Sequence, residues 1–304
     1  MGLRDNRPSS TAFAVTDDCI SVTQVTPIIP ITVVVPTLNE AARIRDAMEA
    51  LSWADEVIVV DGGSKDRTRD LAGQAGAKVI EVPGGTIASQ RNAGIAMARN
   101  RWILALDVDE HVPDQLRDEI AAILKAPQSE AYRIRFRNFY LGREIHHGSW
   151  GNEYHVRLFR SDRRFHERRV HETLEPVDNI GLLCTALEHA PYRDIGHHIE
   201  KIARYSHWGA EDLAFHGHRS SSGKLVFRPV WRFVREYFLY SGWMDGRAGL
   251  VLALLSASSV LLKYAHLQAL EWQAEIQSAP VHPIPLPHSV AKTPHGAEPV
   301  SLDS

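Results

Sequence analysis

The feature that most narrows the fold is a rhythm in the first third of the chain. Short apolar runs of strand length alternate with helical patterns, and the runs stop abruptly in polar residues. Ile28 to Val35 is β-branched and broken only by Pro30; a strand is expected from about Ile31, because proline is tolerated at a strand start. Pro36-Thr37-Leu38-Asn39-Glu40 then turns the chain. With Asn39 as N-cap, Ile44, Ala47, Met48 and Leu51 follow at helical spacing. Glu56 to Val60 is a second apolar run and ends in Asp61-Gly62-Gly63-Ser64-Lys65-Asp66. The paired glycines let backbone approach a ligand closely, and Ser64 or Asp66 can cap a helix over about Thr68 to Ala75. Lys78 to Val82 is a third strand, followed by a Pro83-Gly84-Gly85 loop and a helix from about Ile87 to Arg99. Trp102 to Leu106 is a fourth strand, ending in Asp107-Val108-Asp109-Glu110-His111.

This β-α alternation with short connections predicts an α/β fold, a mainly parallel central sheet flanked by helices. Ligands of such sheets bind beyond the carboxyl ends of the strands. Three polar clusters fall there: Pro36 to Glu40, Asp61 to Asp66, and Asp107 to His111. In extended backbone Asp107, Asp109 and His111 project from one face. Two carboxylates that close repel, and a cation between them relieves the repulsion. Oxygen ligands suit a divalent metal, Mn²⁺ or Mg²⁺, and the His111 imidazole tilts the choice towards Mn²⁺. The plain alternative is a polar turn that carries two aspartates. A dinucleotide-binding domain needs G-x-G-x-x-G after its first strand, and the turn at Pro36 to Glu40 has no glycine. It also lacks the Gly-rich, lysine-bearing phosphate cradle of a nucleotidyltransferase.

Net charge is −3, so no global basic field argues for nucleic acid. The two cysteines, Cys19 and Cys184, lie far apart, which fits a reducing compartment without a disulfide framework. Sixteen histidines are scattered without zinc-type spacing. Residues 1–27 are polar, carry no apolar secretory segment and read as a disordered tail. Residues 273–304, rich in proline and histidine, read as a second one.

Val35-Pro36-Thr37-Leu38-Asn39-Glu40, Asp61-Gly62-Gly63-Ser64-Lys65-Asp66, Ser89-Gln90-Arg91-Asn92-Ala93-Gly94 and Leu106-Asp107-Val108-Asp109-Glu110 together resemble glycosyltransferase family 2, with the GT-A fold. Val170-His171-Glu172 and Gly242-Trp243-Met244-Asp245-Gly246-Arg247-Ala248-Gly249 more loosely resemble the branch with the lipopolysaccharide core β-1,4-glucosyltransferases. The resemblance implies a nucleotide-sugar site. Pro36, Thr37, Asn39 and Glu40 would line the base and ribose pocket, and Asp61 would accept from the uracil N–H with Ser64 nearby. Arg91 would approach the nucleotide or its phosphates. Asp107 would contact ribose or a metal water, and Asp109 would bind the divalent ion, with His111 a further ligand. The catalytic base of an inverting transfer falls at Glu172, with His171 as the alternative. The residues also admit plainer roles: Asn39, Ser64 and Asp66 as caps, Arg91 as a surface charge, and Glu172 as an ion-pair partner of nearby arginines.

In the second half, Tyr132, Ile134, Phe136 and Asn138 alternate with Arg133, Arg135 and Arg137, a strand with one basic face. His155 to Arg160 is another strand. Arg157, Arg160, Arg163, Arg164, Arg168 and Arg169 add positive charge that suits an anionic acceptor, or else a solvated face. Phe227 to Trp243 mixes aromatics with Arg228, Arg232 and Arg235, the composition of a helix at a membrane surface. Ala248 to Leu262 carries no charge but would extend only ~22 Å, short of the ~30 Å hydrocarbon core. It therefore reads as a dipping or packing helix and not a span; burial inside a soluble domain is the alternative.

The expected organisation is a catalytic domain over 28–225, with a nucleotide-sugar half at 28–112 and an acceptor half at 113–225, then membrane-associated helices over 226–272. The expected activity is an inverting, metal-dependent transfer of a hexose to a lipid-linked saccharide such as a lipopolysaccharide inner core, with UDP-glucose the first choice of donor. The expected place is cytoplasmic, peripheral on the inner face of the cytoplasmic membrane. A polyprenyl-phosphate acceptor and a non-catalytic, membrane-docked nucleotide-sugar binder are the other readings.

Overall fold

A computed structural model describes residues 28–166 and 173–278. Their contacts fall into two compact units, the first drawn from the described residues of Met1–Ile134, His155–Glu167 and Thr173–Leu187, the second from those of Arg135–Tyr154 and Glu188–Ser304.

The first unit opens with β1 (Ile29–Thr37), α1 (Ile44–Glu49), β2 (Ala54–Asp61), α2 (Thr68–Gln74), β3 (Lys78–Glu81), α3 (Ile87–Ala96) and β4 (Trp102–Ala105). A short β5 (Glu110–His111) and α4 (Asp114–Lys125) follow, then β6 (Ala131–Tyr140), whose chain continues into the second unit. In the sheet β1 lies parallel to β2 and β4, and β2 parallel to β3. Ile31, Val33, Val34 and Val35 are all buried, as expected of a central parallel strand covered on both faces. A glycine lets α3 approach this sheet: a Cβ on Gly94 would lie 2.4 Å from Val34 Cγ1.

The expected parallel rhythm ends at β4. Beyond it β8 (Tyr154–Arg160) runs antiparallel, pairing Leu158 with Leu104, and the sheet order is β3-β2-β1-β4-β8-β6. β9 (Ile180–Leu182) lies parallel to the start of β6. The sheet is thus mixed, parallel across its first four strands. Val34, Ile58, Ile103, Ala105, Phe159 and Phe165 meet in one core cluster.

In the second unit β7 (Arg143–Ile145) forms a hairpin with the end of β6 through Leu141 and Gly142, both at positive φ. β10 (Leu187–His189) leads into three helices: α5 (Ile195–Phe215), α6 (Ser222–Val234) and α7 (Gly246–Ser278). A π-helical turn, Arg235–Leu239, and a 3₁₀ turn, Gly242–Asp245, join the last two.

The last helix is longer than the uncharged run Ala248 to Leu262. The charge at Lys263 ends the apolar run but not the helix, which is 33 residues long. The stretch Gly242–Gln277 has mean hydropathy 1.7 in its most apolar window and is long and apolar enough to cross a membrane. Only 17% of that window is buried, so it is not a covered core helix. α7 also runs six residues into 273–304, the stretch expected to be a tail.

Candidate active site

Three turns cap β1, β2 and β4. The first two are laced together. Thr37 is buried and its hydroxyl donates to Asp61 Oδ2 at 3.4 Å. Asn39 sits at φ +57°, a left-handed conformation that asparagine tolerates better than most residues. Its N–H donates to Ser64 Oγ (2.8 Å) and its Oδ1 accepts from the Lys65 N–H (2.9 Å). Asn39 is therefore not an N-cap; α1 starts at Ile44 after Arg43, with no side-chain cap. Ser64 is likewise taken up by Asn39 instead of by a helix. Asp66 does cap: its Oδ1 accepts the Thr68 N–H (3.0 Å) at the head of α2, and its Oδ2 accepts the Ala41 N–H (3.2 Å). The Glu40 N–H donates to Thr68 Oγ1 at 2.8 Å.

Asp61 is 0% exposed, and its Oδ1 accepts the N–H groups of Gly63 (3.0 Å) and Ser64 (2.8 Å). The paired glycines have separate reasons. Gly63 adopts φ +102°, and a Cβ on Gly62 would lie 2.6 Å from Gln90 Nε2.

The third turn is the charged one. After β4 the backbone does not stay extended: the Glu110 N–H donates to the Asp107 carbonyl at 3.0 Å, closing a turn. The Asp107 N–H donates to Glu110 Oε2 at 3.1 Å. The alternation that would align Asp107, Asp109 and His111 is thereby broken, and Glu110 is turned inward while His111 is exposed. Two arginines converge on the turn. Arg91 on α3 donates to Asp107 Oδ1 at 2.7 Å, and Arg157 on β8 to Asp107 Oδ2 at 3.2 Å and also to Glu110. Arg91 is 3% exposed, with its guanidinium over the Phe165 ring at 5.2 Å, so it is no surface charge. Asn92 fixes that ring's backbone with two hydrogen bonds.

Burial pushes the Glu110 carboxyl up to about 8; Arg157 opposes this, and the nearby Asp107 and Asp109 charges reinforce it. The donor set at Asp107 and Asp109 is oxygen-rich and partly open to solvent, which fits a hard divalent ion. Among the described residues no three His, Cys, Asp or Glu side chains already converge as a metal cage.

Glu110 and Arg157 were missed as site residues. Arg157 was grouped with a basic face for an anionic acceptor, yet its side chain points into the carboxylate turn. Among the other described arginines of that cluster, Arg160 covers Trp102 at 4.6 Å, Arg163 pairs with Glu130 and Asp162, and Arg164 donates to the Ser161 and Arg163 carbonyls. Arg133, Arg135 and Arg137 are exposed as expected, with Arg137 paired to Glu144 and Glu188. His171 and Glu172, with Arg168 and Arg169, lie outside the described residues.

The model of the glycosyl transferase family 2 matches residues 32–190, more than half of the chain. The chain belongs to this family. As a family 2 glycosyltransferase with the GT-A fold, it is similar to a protein called an uncharacterized glycosyltransferase in Rickettsia bellii (strain RML369-C). That match is 30% identical over 252 residues, 78% of this chain and 85% of the relative. It is also similar to the lipopolysaccharide core biosynthesis glycosyltransferase LpsC of Rhizobium meliloti (strain 1021), 26% identical over 79% of this chain and 94% of LpsC. Among solved structures, TarS 1–349 of S. aureus matches with a TM-score of 0.42 at 15% identity, covering 81% of this chain and 92% of that one. Glucosyl-3-phosphoglycerate synthase from Mycobacterium tuberculosis, with Mn²⁺ and UDP, matches with a TM-score of 0.31 at 26% identity, covering 38% and 45%. Neither structural likeness carries weight at such scores.

Proposed function

We propose that this family 2 glycosyltransferase is an inverting, metal-dependent hexosyltransferase that moves a sugar from a UDP-sugar to a lipid-linked, anionic saccharide of the cell envelope. The observation that carries the reading is the cluster at the end of β4, where Arg91 and Arg157 clasp Asp107 beside Asp109 and Glu110. The name of LpsC, similar along most of its length, favours a lipopolysaccharide core acceptor.

In this reading the laced turns at Pro36 to Glu40 and Asp61 to Asp66 receive the base and ribose. Asp61 keeps their backbone rigid. Asp109, with Asp107, would hold a divalent ion, Mn²⁺ or Mg²⁺, which would offset charge on the departing diphosphate; His111, turned away by the break after β4, has no part in it. Arg91 orients Asp107 and adds positive potential at the same place. Glu172, or His171 in its stead, takes the proton of the attacking acceptor hydroxyl. The exposed Phe227, Trp231, Phe238, Trp243 and Met244, set among arginines, would seat the protein on the inner face of the cytoplasmic membrane, with α7 dipping into or crossing it.

A panel of UDP- and GDP-sugars, assayed for nucleotide release with Mn²⁺, Mg²⁺ or a chelator, tests the donor half. UDP release that needs the cation is expected; cation-independent release, or none from any UDP-sugar, would reject it. Deletion of 227–272 should abolish sedimentation with anionic vesicles, and unchanged sedimentation would reject membrane seating.

A further inference from the structure

The second unit holds a partly open cavity of about 240 Å³ that the chemistry above does not use. Its construction explains the Gly242 to Gly249 motif. A Cβ on Gly249 would lie 1.8 Å from the Gly242 carbonyl oxygen, and one on Gly242 would lie 2.6 Å from that of Glu236. This close packing sets Asp245 and Glu236 beneath the loop after β7. Asp245 Oδ2 accepts the His147 N–H (2.8 Å), and its Oδ1 accepts the His146 N–H (3.2 Å) and lies 3.0 Å from His147 Nδ1. Glu236 Oε2 accepts the Ser149 N–H at 2.8 Å. Glu236 lies in the π-helical turn, a distortion frequent at functional sites.

The lining has a particular chemistry. The Asp245 and Glu236 side chains are 5% and 7% exposed, yet both border the cavity. Arg232 balances Glu236 at 3.3 Å and donates to Ser256 Oγ at 2.7 Å. With Asp245 accepting from Nδ1–H, the His147 Nε2 remains as a polar atom for a ligand hydroxyl. Trp150 and Tyr192 stack at 5.8 Å and 25°, and Tyr205 adds a third ring to the wall. An acyl chain here would desolvate two carboxylates without hydrogen-bonding them. A free phosphate would meet those same carboxylates at close range, and the two cations of the wall are already engaged, Arg232 by Glu236 and Lys201 by the Pro191 carbonyl and the Tyr192 ring. A sugar ring suits both parts, since its hydroxyls match the carboxylates, imidazole and serines while its C–H faces match the aromatic rings. The volume is below the ~300–1,000 Å³ of drug-sized sites, so it fits one ring and not an oligosaccharide.

We propose that this cavity is a saccharide subsite, taking one neutral pyranose ring of the acceptor. The assignment to the acceptor rests on the glycosyltransferase reading; the sugar-binding chemistry does not.

Saturation-transfer NMR on the full chain tests it, with a panel of methyl pyranosides as probes and octanoate and inorganic phosphate as controls. Tyr205→Ala, at an exposed position, should weaken pyranoside binding roughly tenfold, and Ser259→Phe, which fills the cavity, should abolish it. Thermal melting confirms that each variant is folded. Binding of octanoate or phosphate in place of any pyranoside, or pyranoside binding that survives Ser259→Phe, would overturn the proposal. UDP with Mn²⁺ is titrated into the same wild-type sample. UDP binding without pyranoside binding sinks the subsite alone, whereas pyranoside binding without UDP binding supports the subsite and sinks the donor reading.

Discussion

Asp61 and Asp107 close two strands that flank β1 on either side, and they spend their charge differently. Asp61 has no exposed surface, and the N–H groups of its own turn and the Thr37 hydroxyl take up its carboxylate. Asp107 leaves 36% of its side chain exposed and is held by guanidiniums from α3 and β8. The first carboxylate shapes a loop. The second forms part of a charged, partly exposed surface. Equivalent positions at the end of a parallel sheet thus differ in how their charge is matched, by backbone and hydroxyl donors at one and by guanidiniums at the other, and the partners, not the residue type, tell them apart.

The largest expected effects test the chemical side of that contrast. Glu172→Gln should stop sugar transfer while UDP affinity, read by calorimetry, stays at the wild-type level; wild-type transfer would remove it as base. Asp109→Ala should lower cation-dependent UDP release roughly 10²–10³-fold, the usual size of losing one preorganised electrostatic contact. Urea unfolding of that variant should be close to wild type. Asp61→Ala should do the reverse of Asp109→Ala in one respect, costing stability first. It leaves two backbone N–H groups unmatched, worth about 2–4 kcal/mol by urea midpoint. If Asp61→Ala unfolds like wild type and loses only activity, the contrast drawn here is wrong.

Smaller effects sharpen the comparison. Gly94→Ala forces α3 away from Val34 and should cost about 1–3 kcal/mol, with Arg91 displaced and UDP binding weakened in step. In the second unit His198 is a buried titratable group with a structural role. It hydrogen-bonds the Tyr140 hydroxyl (3.2 Å) and stacks on Tyr192 at 3.7 Å. Burial, then Lys201 and His197, hold it down to about 4, against an ordinary 6.5. The unfolded chain therefore takes up a proton that the folded one refuses. The stability of the neutral ring is whole above about 6.5 and is lost as pH falls towards about 4. The melting temperature of His198→Gln should fall less steeply than wild type across that window; parallel curves would show that His198 is not responsible.

Much of the first unit was readable from periodicity. β1 to β4 and the helices between them follow apolar runs and helical spacing, and the three polar clusters lie at strand ends because each run stops in a turn. What escaped was long-range pairing. Arg157 and Glu110 lie 47 positions apart and meet only because β8 folds back antiparallel beside β4. Nothing in local pattern marks that return. Asn39 looked like a cap because its residue type suits one, and the bonds that claim it come from Ser64 and Lys65 on the next turn. Lys263 ends the uncharged run, and the helix passes through it and on to Ser278, beyond the expected end at 272, because helix continuation depends on backbone propensity and not on hydropathy. The Gly242 to Gly249 motif was visible as a string, but its purpose needed the contacts of Asp245 with the loop after β7.

The central claim is that the carboxylate turn after β4 holds a UDP-sugar diphosphate through a divalent ion. The direct measurement is calorimetric titration of UDP into the full chain, with Mn²⁺ and with a chelator, for wild type and Asp109→Ala. Saturable binding that requires Mn²⁺ and vanishes in the variant is the predicted result. Equal binding in all conditions, or none in the wild type, would contradict it.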